Sequence, residues 1–299
     1  MKLYFISLCF AFVACITAKA QSKLIFKDKF MYADAQVFNE SKKHSIPSMI
    51  DTGCSLCIID STFAVDSCEI KIDKLQTISV NQTKDKISST FIDSIFFCGK
   101  TYHKVYCLVA NLTGIYQKYA PKFIIGAAIL KSGAWRFDME RNIIESYDFN
   151  NKAKGIIYKW KNHLDYPDVA IDYIILDSKV NGKKTRFSFD TGSKYNKLQH
   201  GLYVGEPEQI QKETADIGNK LSIKTAELCR NVTFKIGKDE YTLDFIIGDR
   251  NIGLLNIEFL QGHSFILNYK RQILELFLKS ASNLNGNLNC SKELEHYAS

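Results

Sequence analysis

The fold of this chain is decided by the stretch Ser48-Met49-Ile50-Asp51-Thr52-Gly53-Cys54-Ser55, and a near-copy, Ser188-Phe189-Asp190-Thr191-Gly192-Ser193, follows downstream. In each copy a short apolar strand runs into Asp-Thr-Gly. A carboxylate at the end of a strand, followed by glycine, stands on a tight and rigid turn. Two such turns in one chain can bring two acids face to face, so Asp51 and Asp190 are the candidate catalytic residues.

The likeness between the two copies extends over most of the chain. A hairpin precedes each Asp, and the second hairpin has the strong turn signal Asn181-Gly182. The two Asp residues are 139 positions apart, whereas the matching leucines Leu130 and Leu260 are 130 apart. A fixed order at a near-constant offset indicates an internal duplication. The first copy then carries about eight extra residues, which we place in a loop at Thr113–Lys122.

The predicted fold is mainly β, in two homologous lobes. Runs of five to seven residues rich in Ile, Val, Phe, Tyr and Thr alternate with turn signals. Short helices are predicted at Ala127–Lys131 and Glu258–Gly262. We expect a signal segment at 1–20, a first lobe at 21–160 and a second lobe at 161–299.

The charge pattern argues against a nucleic-acid partner. The formal net charge is +7, but lysines are scattered along the sequence without an aromatic-rich basic cluster. A nucleic-acid groove would require such clustering. We interpret the basic residues as a solvated surface.

The first 20 residues have the pattern of a secretory signal. Leu3–Val13 is apolar and too short to span a bilayer, and Ala18-Lys19-Ala20 fits a cleavage site. We prefer this cleavage to lipidation at Cys15. Because no later run reaches transmembrane length, we expect an exported protein, periplasmic or extracellular. We predict no propeptide, since Gln21–Lys29 is too short for one.

The cysteines do not define a metal or redox site. Cleavage after residue 20 would leave Cys54, Cys57, Cys68, Cys98, Cys107, Cys229 and Cys290. An odd number leaves at least one free thiol, and the spacing gives no disulfide connectivity. A redox pair at Cys54 and Cys57 lacks a thioredoxin-like context, and no second pair completes a zinc site. Asn-x-Ser/Thr sequons occur at Asn39, Asn81, Asn111, Asn231 and Asn289.

The chain resembles the aspartic proteases, and within them the retropepsin-like family, as a single-chain tandem. The two Asp-Thr-Gly turns carry this resemblance, together with Ile124-Ile125-Gly126 and the stretch 254–260, which looks like the family's Leu-Leu-Gly-x-Asp-Phe-Leu. It implies two acid-protease-like β-barrel lobes with a cleft between them. Asp51 and Asp190 would hold one water at its base and share a proton. Neither a metal nor a cofactor is implied, and the chain would act as a monomer with an intrachain pseudo-dimer.

The resemblance also assigns supporting roles around the two acids. Thr52 and Thr191 would interlock by hydroxyl-to-backbone hydrogen bonds, and Gly53 and Gly192 would let the backbone turn and approach. Ser193 would donate to the outer oxygen of Asp190.

Three positions depart from the family pattern. Cys54 replaces the usual Ala or Ser, and because a thiol is a weak donor, Asp51 would lack the support that Asp190 has. Asn256 stands where a glycine is usual, and asparagine tolerates positive φ better than most residues. Asn268 stands where the first copy has Asp138.

The function that this pattern favours is a secreted aspartic endopeptidase acting on polypeptide substrates. The candidate flaps are Val80–Ser88 and Thr214–Ser222. The alternative is a catalytically inactive protein of the same fold that binds peptide or another ligand in the cleft, because fold alone does not fix function.

Overall fold

The computed structural model describes residues 21–72, 76–80, 83–116, 119, 121–148, 155–167, 172–214 and 222–277. The predicted signal segment 1–20, the sequons at Asn81 and Asn289, and Cys290 lie outside these ranges. Within them, no helix is both long enough and apolar enough to cross a membrane.

The described part of the first repeat is built mainly from strands. They are β1 (Gln21–Lys27), β2 (Phe30–Asn39), β3 (Lys42–Ile50), β4 (Cys57–Asp60), β5 (Gln76–Val80), β6 (Thr83–Phe97), β7 (Lys100–Ala110), β8 (Phe123–Ile125), β9 (Ala134–Asp138) and β10 (Ile143–Ser146). A π-helix at Phe63–Ser67 and the helices α1 (Leu112–Tyr116) and α2 (Ala127–Leu130) lie between them.

The second repeat follows the same order. Its strands are β11 (Ile156–Lys159), β12 (Ile174–Val180), β13 (Lys183–Phe189), β14 (Lys197–Gln199), β15 (Glu208–Thr214), β16 (Ser222–Ile236), β17 (Asp239–Gly248), β18 (Gly253–Leu255), β19 (Ser264–Asn268) and β20 (Ile273–Phe277). A 3-10 helix at Ile257–Leu260 takes the place of α2. The mainly β fold that the sequence predicts is confirmed.

Each repeat closes into a six-stranded barrel. The first runs β2-β3-β8-β4-β7-β6 and closes through the pairing of β2 with β6. The second runs β12-β13-β18-β14-β17-β16 and closes through the pairing of β12 with β16. Closure satisfies the backbone groups that an open sheet would leave at its edges.

A third set of strands joins the two repeats. Its order is β11-β20-β19-β9-β10-β1, and the pairing of β9 with β19 connects the halves. Phe137 and Phe265 stack across this pairing, with ring centroids 4.2 Å apart. β11 pairs with β20 as β1 pairs with β10, so it takes in the second repeat the place that β1 takes in the first.

The turns follow the local sequence. Asn181 and Gly182 have φ values of 49° and 76° and form the predicted two-residue hairpin turn between β12 and β13. Twelve residues separate β7 from β8, whereas four separate β17 from β18. This confirms the eight-residue insertion in the first copy, and part of it forms α1 rather than an irregular loop.

Candidate active site

Asp51 and Asp190 occupy equivalent positions at the ends of β3 and β13. The N–H of Asp51 donates to Ile125 O at 3.0 Å, and the N–H of Asp190 donates to Leu255 O at 2.9 Å. These bonds extend the parallel pairings of β3 with β8 and of β13 with β18. Each acid is therefore fixed at the end of its own strand by a hydrogen bond to the neighbouring strand.

Reciprocal hydrogen bonds between Thr52 and Thr191 join the two turns. Each backbone N–H donates to the hydroxyl of the other threonine, at 3.1 Å in both directions. The Thr52 hydroxyl donates to Phe189 O at 3.0 Å, and the Thr191 hydroxyl donates to Ile50 O at 2.8 Å. Both hydroxyls are buried, so each uses its donor and an acceptor site within the protein.

Glycine at positions 53 and 192 lets the carboxyl groups approach. A Cβ atom at Gly53 would lie 2.4 Å from Asp190 Cγ, and one at Gly192 would lie 2.2 Å from Asp51 Cγ. The Gly53 N–H donates to Asp51 Oδ1 and the Gly192 N–H to Asp190 Oδ1, both at 2.9 Å. Each glycine thus orients the acid of its own turn and leaves room for the other.

The pKa of both carboxyls lies above its ordinary value. Burial is the main cause for Asp51, and the negative charge of Asp190 raises its pKa further. Burial also raises the pKa of Asp190, but the positive charges of Lys197 and Arg250 and the Gly192 N–H oppose it. Because the two groups hydrogen-bond each other, they titrate as a pair. The positive charges of Lys197 and Arg250 make Asp190 the easier of the two carboxyls to ionise.

Cys54 and Ser193, the residues after the two glycines, both hydrogen-bond a backbone carbonyl two residues ahead. The Ser193 hydroxyl donates to Tyr195 O at 3.0 Å, so the predicted bond to the outer oxygen of Asp190 is wrong. Cys54 Sγ donates in the same way to Leu56 O at 3.0 Å. The thiol of Cys54 and the hydroxyl of Ser193 therefore play matching structural parts. Asp51 is supported by the backbone N–H of Cys54, which donates a hydrogen bond to its carboxyl.

Asn256 needs no left-handed backbone. Its φ is −91°, so the expectation that asparagine serves here by tolerating positive φ is wrong. Its side chain accepts from the Glu258 N–H at 2.9 Å and donates to Lys194 O at 2.9 Å, and its own N–H donates to Asn196 Oδ1 at 2.8 Å. At the equivalent Gly126, a Cβ would lie 2.1 Å from a backbone carbonyl oxygen. The second copy therefore replaces close backbone approach by a buried amide network.

Asn268 performs the structural task of Asp138. Asp138 Oδ1 accepts from the Arg141 N–H at 3.0 Å, and Asn268 Oδ1 accepts from the Arg271 N–H at 3.1 Å. Both side chains thus close the turn that follows their strand, and this departure leaves the turn intact.

Tyr116, which the sequence reasoning missed, packs against the same buried cluster as Cys54 of the first turn. It ends α1, within the insertion of the first copy, and it is partly buried. Burial raises the pKa of its hydroxyl, and negative charge on the carboxyl pair raises it further. The insertion therefore forms part of the site instead of a remote loop.

Lys194 also was not predicted, although it follows the second turn directly. Its ammonium donates to Tyr119 Oη of the first repeat at 2.9 Å and pairs with Glu213 of β15 at 3.2 Å. The Tyr32 hydroxyl donates to Tyr119 O at 3.2 Å. These contacts connect the insertion, the second Asp-Thr-Gly turn and the strand pair β15–β16. Residues 215–221 of the predicted flap Thr214–Ser222 lie outside the described ranges.

The cysteines in the described ranges are free thiols. Cys57, Cys68, Cys98, Cys107 and Cys229 are buried, and Cys54 is partly buried. Burial raises the pKa of Cys54, and the charge of Asp51 raises it further, so its thiol stays protonated and is a poor nucleophile. The described residues contain no group of three His, Cys, Asp or Glu that could hold a metal ion.

Thr52→Val should destabilise the folded chain by about 2–6 kcal/mol. The substitution leaves the Thr191 N–H and Phe189 O without a partner, and each buried group left unsatisfied costs about 1–3 kcal/mol. The measurement is denaturant unfolding. Thr233→Val is the matched control, because its hydroxyl bonds Thr242 at an exposed position. An equal loss in both variants would contradict the structural role of the reciprocal bonds.

Asp51→Asn should gain stability relative to the unchanged chain as the pH rises from about 4 to 7. A raised pKa means that the folded state binds the proton more tightly than the unfolded state, whose carboxyl pKa is about 3.9. That stabilisation is complete below the unfolded pKa and is lost as the pH rises through the folded one. Unfolding free energies across this range measure the difference, with exposed Asp66→Asn as the control. A difference that does not change with pH would refute the raised pKa.

Comparison with known proteins assigns no family to this chain. A scan of the sequence against protein-family models finds no match, and a search of curated proteins finds none either. The chemistry of the site therefore rests on its own residues.

Proposed function

We propose that the chain is an aspartic endopeptidase whose catalytic pair is Asp51 and Asp190. The observation that supports this most directly is the pair itself: two carboxyls on equivalent turns, in hydrogen-bond contact, with raised pKa values. Carboxyl pairs that share one proton are suited to general acid–base catalysis near the pH at which one of them is ionised.

The proposed reaction uses the two carboxyls and one water. The ionised Asp190 removes a proton from the water, and the water oxygen attacks the peptide carbonyl carbon. Asp51, protonated, gives its proton to the carbonyl oxygen, and a tetrahedral diol forms. Asp190 then passes its proton to the leaving nitrogen, the carbon–nitrogen bond breaks, and Asp51 recovers a proton from the diol. Both carboxyls return to their starting states.

Both acids come from one chain, which supports action as a monomer. The reciprocal threonine bonds and the β9–β19 pairing are intrachain contacts between the two repeats. We propose that the repeats act as an intrachain pseudo-dimer. The export expected from residues 1–20 remains a prediction from the sequence.

Asp51→Asn and Asp190→Asn should each lower peptide cleavage by at least about 100-fold, the usual lower contribution of a positioned acid or base. The measurement is mass-spectrometric cleavage of an unstructured peptide library from pH 3 to 7, with a pepstatin-type inhibitor as a further arm. Asp66→Asn, at an exposed position, should retain activity. Cleavage that survives both substitutions would refute the catalytic pair, and peptide binding without cleavage by the unchanged chain would favour the binding alternative.

Lys197→Met should shift the acidic limb of the pH–activity profile to higher pH. The positive charge of Lys197 lowers the pKa of Asp190, so its removal raises that pKa and the base ionises only at higher pH. The profile of kcat/KM against pH measures the shift. Lys179→Met, on a strand of the second barrel away from this turn, should leave the profile in place. A limb that stays fixed in Lys197→Met would contradict the assignment of Asp190 as the base.

A further inference from the structure

A positively charged pocket lies in the second repeat, and Ser188, two residues before Asp190, is part of its lining. Its volume is about 250 Å³, and it lies between the hairpin β15–β16 and the ends of β13, β14, β17 and β18. Four of its lining residues are basic, Lys197, Lys212, Lys224 and Arg250, and one is acidic, Asp249. We call this the cationic pocket.

Two of the four basic residues face each other directly. Lys212 on β15 and Lys224 on β16 are cross-strand partners, and both line the cationic pocket together with Thr214. Like charges at directly opposite positions destabilise a pair of strands. A negative group placed between them would be attracted by both charges.

The other two basic residues lie close to the catalytic carboxyls. The positive charges of Lys197 and Arg250 act on Asp190, and Arg250 is oriented by a bond from its guanidinium to Tyr173 Oη at 2.9 Å. Ser188, two residues before Asp190, also lines the pocket. A group that enters the cationic pocket is therefore held beside β13, two residues before Asp190 along the chain.

We propose that the cationic pocket binds an acidic side chain of the substrate, so that the chain preferentially cleaves peptides with Asp or Glu close to the scissile bond. This inference rests on the proposed function and names its substrate class. The hairpin β15–β16 supplies two of the charges that recognise the acid, and β14 and the segment between β17 and β18 supply the others.

The size and walls of the pocket suit one side chain. Pockets that hold drug-sized ligands measure roughly 300–1,000 Å³, so a cavity of about 250 Å³ fits a smaller group. Ile247, Ile252 and Leu254 form part of its walls. Apolar walls lower the local dielectric and strengthen the attraction between the lysines and a bound carboxylate.

The test uses peptide pairs that differ only by Glu or Gln, with the substitution moved through each position near the scissile bond. Cleavage is measured near pH 6, where a free glutamate with a pKa of about 4.3 is ionised. At one position the Glu peptide should be cleaved with a kcat/KM about tenfold or more above that of the Gln peptide, the effect of one charge-assisted hydrogen bond. Added salt should reduce the ratio.

The double variant Lys212→Gln, Lys224→Gln should bring this ratio close to one and still cleave the Gln peptide. The matched control is Lys179→Gln, Lys184→Gln, because these lysines are also directly opposite partners in the second barrel and do not line the pocket. The control should keep the full preference for Glu. An equal fall in both double variants would overturn the proposal.

Separate outcomes would overturn the preference for acidic residues and the peptidase activity. Cleavage by the unchanged chain with a Glu-to-Gln ratio near one at every position would overturn the acidic preference and leave the peptidase standing. If no peptide is cleaved, binding of both peptides to Asp51→Asn by fluorescence anisotropy still tests the pocket. Tighter binding of the Glu peptide, lost in the Lys212→Gln, Lys224→Gln background, would support it, and equal binding would overturn it.

Discussion

The structure depends on holding two carboxyl groups together against their repulsion. Two unit charges 4 Å apart repel by about 4 kcal/mol at an effective dielectric of 20. The four bonds between the Thr52 and Thr191 turns supply about 1 kcal/mol each. The stabilisation from these bonds would only equal the repulsion between two ionised acids. It would not offset the cost of removing both charges from water. A proton shared by Asp51 and Asp190 removes the repulsion, so protonation and backbone geometry stabilise the site together.

The duplicated architecture makes this placement rigid. Each acid continues a strand that is buried within a closed barrel, and the six-stranded sheet joins the two barrels through β9 and β19. Because Asp51 and Asp190 bond to the neighbouring strands β8 and β18, a shift of either acid would disturb strand pairing in its own barrel. The distance between the acids is thus set by main-chain contacts more than by their side chains.

Much of the fold could be predicted from local sequence because its signals are local. Asn181 and Gly182 favour positive φ at a hairpin turn, and the offset between copies locates the insertion without any structure. The surroundings of the acids could not be predicted in this way. Tyr116 reaches them through the insertion, and Lys194 meets Tyr119 across 75 residues of sequence. The bonds of Ser193 and Asn256 were mispredicted because the resemblance describes a family average, whereas their partners belong to this chain.

The basic residues of the cationic pocket are scattered along the sequence. Lys212 and Lys224 are far enough apart in sequence to look like separate surface residues, yet antiparallel pairing places them opposite each other. Lysines that are not clustered in the sequence can therefore be neighbours in a sheet. Periodicity shows which face a residue occupies, but register decides which residue it meets.

Duplication alone would give two equivalent acids, whereas the proposed chemistry requires one acid and one base. The turns themselves are nearly identical, so the difference comes from residues around them. Ile58 and Lys197 occupy matching places, paired with Ile124 and Leu254 respectively. Ile58 is buried, while Lys197 carries a charge that favours the ionised form of Asp190. Lys197, together with Arg250, thus favours the ionised form of Asp190 although the backbones of the two carboxyls are held alike.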